Sequence, residues 1–151
     1  MIDLWKKLTQ TESRDTAHGV EPHRLAAAAL LVEAAHMDGS MDAEELSSIR
    51  TLLAERFGLA AGDAQVLLDE GERAARESSD WQGFTSTIKE AFDQDGRIAL
   101  VGMLWQVVLS DGVLHDHEAS LMRRITGLLY VSGRESALAR DEAKRTLGLS
   151  D

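Results

Sequence analysis

The sequence predicts an all-α protein, a compact bundle of about seven helices formed by two pseudo-symmetric three-helix repeats. Three observations carry that expectation. Apolar residues recur at intervals of three and four rather than two, the period of a helix face and not of a strand. Leu, Ala, Glu, Arg and Met, all good helix formers, dominate the interior of the chain. The pattern that begins near residue 22 restarts near residue 95.

For residues 1–19 the sequence predicts a short N-terminal helix, with Leu4, Trp5 and Leu8 packing back on the core, followed by a polar, mobile stretch from Thr9 to Gly19. The helical domain occupies residues 20–151. Its first helix, in EPHRLAAAALLVEAAHMD, has a proline near the first helical position and is apolar on nearly every face to Met37, as a central buried helix would be. Asp38-Gly39 ends it. A second helix starts around Asp42, buries Leu46, Ile49, Leu52 and Leu53, and stops at Gly58. GDAQVLLDEGERAARES and WQGFTSTIKEAF supply two more, and the charge-rich DEGERAARESSD reads as a solvated helix face. From Asp95-Gly96 the chain predicts a buried helix to Ser110, an amphipathic one from Asp116 to Leu129, and a last one from Gly133 to Leu147. Trp105 falls in the core, and Trp81, near a helix start, is partly exposed.

Shifting residues 22–74 onto 95–147 pairs Asp38 with Asp111, Gly39 with Gly112, Met41 with Leu114 and Glu45 with Glu118. Leu31 meets Leu104, Ile49 meets Met122 and Leu52 meets Ile125. With one residue deleted, FGLAAGDA then meets LYVSGRES. Two copies that each cover the other's apolar face account for first helices that are hydrophobic all round, and imply a roughly twofold relation between them.

Composition removes several function classes. A chain of 151 residues suits one domain. It has no cysteine, hence no disulfide, thiolate zinc site or cysteine nucleophile. No secretory leader is legible at the start, so the expected compartment is the cytoplasm. The longest apolar run, IALVGMLWQVVL, falls short of the ~20 residues that span a bilayer. Acidic residues outnumber basic ones by 26 to 16, a net charge of −10, which argues against nucleic acid and membrane insertion and for cations as partners. No phosphate loop, no G-x-S-x-G and no nucleophile-base spacing occurs, so the chain is not expected to be an enzyme.

The signature Asp-Gly-x5-Glu, present at both helix junctions, has two readings. Locally, Gly39 and Gly112 supply the left-handed residue after a helix, while Asp42 with Glu45 makes a capping box that His115 and Glu118 repeat in the second copy. That leaves the aspartates unexplained, since a carboxylate at a helix C-terminus is disfavoured by ~0.3–1 kcal/mol. If the copies pack about a twofold axis, Asp38, Glu45, Asp111 and Glu118 share one site. At ~5.5 Å and an effective dielectric of ~20 each like-charged pair repels by about 3 kcal/mol, so such a cluster calls for a cation, a proton or full exposure. Oxygen ligands suit Ca²⁺, Mg²⁺ or Mn²⁺, and His115 pointing inward would tilt the site toward Zn²⁺ or Mn²⁺.

Two other candidates fail. FDQDGRI has Asp93, Asp95 and Gly96 at EF-hand positions, but Ala91 and Gly102 stand where that loop needs Asp and Glu. Glu33 and His36 match the Glu-x-x-His of di-iron bundles, yet the second copy offers only Gln106 and Leu109.

Two helix pairs with Asp38-Gly39 to Glu45 and Asp111-Gly112 to Glu118 at their junctions resemble the tellurite-resistance TerB family of all-helical bacterial proteins, over about residues 22–147. The resemblance implies a helical domain whose acidic cluster, here Asp38, Glu45, Asp111 and Glu118, binds a divalent metal, with a role in stress or metalloid resistance. The competing expectation is a helical protein-interaction module whose acidic junctions are only caps.

Overall fold

The computed structural model describes residues 21–36, 42–78, 82–110 and 112–149. Pro22, whose missing N–H costs nothing in a first turn, opens α1 (Pro22–His36). Asp42 caps α2 (Ala43–Phe57), and Gly58 ends it in the left-handed region at φ 62°. Then follow α3 (Ala61–Glu77), α4 (Gln82–Ala91), α5 (Gln94–Val108), α6 (Asp116–Leu128) and α7 (Gly133–Leu147). The described residues thus contain seven helices and no strand, the all-α bundle that the periodicity predicts. No helix among them is long and apolar enough to cross a membrane. The expected N-terminal helix, the stretch to Gly19 and Trp81 lie outside the described residues.

The core forms around α1 and α5, the two helices that are apolar on nearly every face. Leu30, Leu31, Leu100 and Leu104 are fully buried, beside Leu53, Leu68, Ile88, Met122 and Ile125 from the surrounding helices. α1 packs on α5, and each also pairs most extensively with the third helix of its own half, α1 with α3 and α5 with α7. The first of these pairs is very close. A Cβ on Gly71 would stand 2.6 Å from Ala28 Cβ, so the alanine run of α1 and a glycine of α3 let two backbones approach. Trp105 is buried as expected and donates its indole N–H to Ser136 Oγ at 3.0 Å.

The turns that lead into α3 and α7 share a backbone conformation. Gly58 at φ 62° aligns with Tyr130 at φ 60°, and the N-caps Ala60 and Ser132 are both extended (φ −68°, ψ 159° and φ −70°, ψ 162°). The halves differ in that α2 lies broadly on α3 whereas α6 touches α7 lightly, and α4 packs on α1 and α6 without a counterpart.

Two expectations need correction. α5 starts one residue before Asp95, because Asp93 is the better cap and accepts the Gly96 amide at 2.8 Å. DEGERAARESSD is not wholly solvated: Gly71 and Ala75 face the core and bring Glu70 in with them, where Arg73 pairs with it at 2.8 Å.

Candidate metal centre

The two predicted glutamates occupy the same position, the third residue of a helix that starts after a junction. At α2 the cap is reciprocal: Asp42 Oδ1 accepts the Glu45 amide at 2.8 Å, and Glu45 Oε1 accepts the Asp42 amide at 3.1 Å. At α6 the His115 N–H donates to Glu118 Oε1 at 3.0 Å. A carboxylate here also meets the positive end of the helix dipole. The capping bonds expected of Asp42 and Glu45 are thus complete and Glu118 makes its half at the second junction; Met37 and Gly39 lie outside the described residues, while Gly112 takes the left-handed conformation expected of it, φ 85°, its N–H bonded to Leu109 O at 2.8 Å.

The two sites differ in depth. Glu45 is half-buried, whereas Glu118 is 1% exposed. A carboxylate that far from water persists only with hydrogen bonds, an opposite charge or a metal around it. Beside it the rings of His115 and His117 stack, 5.7 Å between centroids and 12° between planes. His115 is half-buried and His117 exposed.

Asp38 and Asp111 lie outside the described residues. In the chain they follow the ends of α1 and α5, at His36 and Val108, within a few residues. Among the described residues no group of three or more His, Cys, Asp or Glu side chains is placed to hold a metal ion, so Glu45 and Glu118 by themselves make no such centre. α2 and α6, which carry them, both pack against α5.

One cap went unread in the sequence. Ser132 and Glu135 form a full capping box at α7, Ser132 Oγ accepting from Glu135 N at 3.0 Å and Glu135 Oε1 accepting from Ser132 N at 2.9 Å. Gln94 adds a bond to Glu135 at 3.1 Å, tying the start of α5 to that of α7. The Ser132 amide, assisted by the Ser132 and Gln94 side chains and by Arg97, holds the Glu135 carboxyl below the usual carboxylate range. The Ser-x-x-Glu spacing was the available signal.

No curated protein and no solved structure matches the chain. A family model described as "Tellurite resistance protein TerB" matches residues 24–141, most of the chain and both acidic junctions. The chain belongs to the TerB family.

Proposed function

We propose that the protein is a non-enzymatic, divalent-cation-binding helical module of the TerB type, acting in the cytoplasm in bacterial stress or tellurite and metalloid resistance. Family membership supports the setting. The observation that carries the cation is the burial of Glu118, 1% exposed, at the junction whose sequence repeats at Glu45. A carboxylate has about four lone-pair sites, so an oxygen that accepts a helix-start amide leaves capacity for a metal. Asp38 and Asp111 would complete the ligand set.

The capping bonds favour a second reading, a protein-interaction module whose junctions are structural only. Glutamine separates the two, because it serves in a capping box as glutamate does but carries no charge. Metal-free protein is melted with and without Ca²⁺, Mg²⁺, Mn²⁺ or Zn²⁺. A ligand that binds only the native state stabilises it by RT ln(1 + [L]/Kd), ~2.7 kcal/mol at a hundredfold excess over Kd. The parent should gain stability with at least one metal, and both the Glu45→Gln, Glu118→Gln and the Asp38→Asn, Asp111→Asn double variants should lose that gain while remaining folded. A parent indifferent to all four metals would leave the capping reading in possession. The stress role is checked by whether those variants fail to restore metalloid tolerance to cells that lack the gene.

A further inference from the structure

The strongest feature outside the acidic junctions is a pocket of about 270 Å³ enclosed by α5, α6 and α7. In a chain of net charge −10 it is lined by two arginines, Arg123 of α6 and Arg140 of α7, and, among the described residues, by no carboxylate. Two acids of α7, Glu135 and Glu142, line a different groove, between α5 and α7.

Two polar groups in the pocket have unspent hydrogen-bonding capacity. Arg140 lies over the Trp105 ring, 5.7 Å from its centroid, and its Nε is buried with no hydrogen-bond partner. Asp141 stands 4.0 Å from that Nε, beyond hydrogen-bond reach. Ser136 is 8% exposed, and its Oγ accepts the Trp105 indole N–H. Its own hydroxyl proton meets no acceptor among the described residues. A buried donor without an acceptor is costly, and an acceptor that enters the pocket would relieve that cost at Arg140. Guanidinium groups favour an oxyanion in that role, since they bind planar oxyanions through paired N–H donors.

The remaining wall is apolar: Trp105, Met122, Leu114 and Ala137. At ~30 Å³ for each water in the liquid the pocket holds roughly nine water volumes, the space of a small aromatic acid. We infer that this pocket binds a small organic anion, its carboxylate between Arg123, Arg140 and Ser136 and its apolar body against Trp105 and Met122. The site borders the second acidic junction, since Leu114 lies between Asp111 and Glu118, but its arginines attract the opposite charge, and benzoate binding is read apart from any metal response.

The Trp105 indole N–H, bonded to Ser136 at the pocket wall, is the reporter. Benzoate is titrated into the full-length protein at constant ionic strength and followed by heteronuclear NMR, with neutral benzamide and inorganic phosphate as comparisons. Benzoate should shift the Trp105 indole resonance saturably in the millimolar range or below, and Arg140→Gln and Arg123→Gln should each weaken binding by about tenfold. Arg123 is exposed, so its variant keeps the test decisive if Arg140→Gln does not fold. The assignment is overturned if benzoate gives no saturable shift, if benzamide binds equally well, if phosphate binds as tightly as benzoate, or if the Arg123 variant binds like the parent.

Discussion

The contact between α1 and α3 can be tested with a single methyl group. Replacing Gly71 by alanine puts a Cβ 2.6 Å from Ala28 Cβ and 3.0 Å from the Ala28 carbonyl carbon. Carbon atoms rest at about 3.5 Å or more, so the two helices must part by roughly 1 Å. Neither partner is the flexible end of a long side chain, and no rotamer change relieves the clash. Overpacking of this kind costs about 1–3 kcal/mol, while the gain in helix propensity from Gly to Ala returns up to ~1 kcal/mol. Gly127 provides the internal standard, because it lies in α6 with nothing within 4 Å of an added Cβ. Gly127→Ala should therefore raise the urea midpoint slightly and Gly71→Ala should lower it. The difference between the two variants measures the clash largely free of propensity. An unchanged m-value for both would show that the shifts are changes in stability rather than in the unfolded ensemble. If Gly71→Ala instead stabilises as much as Gly127→Ala, the backbones do not meet there, and the pairing that seats the first half is wrong.

Two further outcomes follow from burial and charge. Leu31 and Leu104, equivalent in the two halves and both fully buried, should each lose about 2–5 kcal/mol on truncation to alanine in denaturant unfolding, and unchanged midpoints would mean the core is misplaced. Because the fold depresses the Glu135 pKa, the contribution of this cap is complete above the ordinary carboxylate value and is lost as pH falls through the folded one. An NMR titration of the Glu135 carboxyl should find its midpoint below the usual range, and Ser132→Ala should return it only part of the way, since the backbone donor remains; a midpoint already at the ordinary value would contradict the cap.

Much of the bundle was legible because its signals are local. Asp42 followed by Glu45, and Gly58, specify helix ends through bonds that span three or four residues, and the structure places each where the spacing requires, whereas α5 is closed by Leu109, three residues before the left-handed Gly112. Continuous apolarity identified α1 and α5 as the buried pair. What escaped depends on comparison or on neighbours distant in the chain. Tyr130 gives no hint of a left-handed backbone; only its alignment with Gly58 does, and the geometry is held there by the turn into α7. Glu70 reads as a surface charge because its neighbours do, yet the face that carries Gly71 must lie on α1. The candidate site divides along the same line. That Glu45 and Glu118 stand at the third position of their helices follows from spacing alone. Their separation depends on how α2 and α6 settle on α5, which no short motif encodes.

The two readings of the acidic junction are less opposed than their names suggest. At each junction one helix presents its last carbonyls, the negative end of its dipole, and the next presents its first amides, the positive end. Glu45 and Glu118 sit on the positive side, where the cap fixes the carboxylate's direction. A cation is repelled by that same helix start and is drawn toward the preceding helix end, after which Asp38 and Asp111 follow in the sequence. The dipole effects are worth only ~0.3–1 kcal/mol each, small beside the repulsion of about 3 kcal/mol between like carboxylates at ~5.5 Å. In the proposed site charge number would therefore outweigh dipole placement in setting affinity. Glutamates held by caps are also ordered before a metal arrives, which reduces the entropy lost on binding. On this view the capping box is the means by which the junction pre-positions a ligand. The Asp38→Asn, Asp111→Asn variant should then lose metal response without losing helix stability, whereas Glu45→Ala, which removes cap and charge together, should lose both.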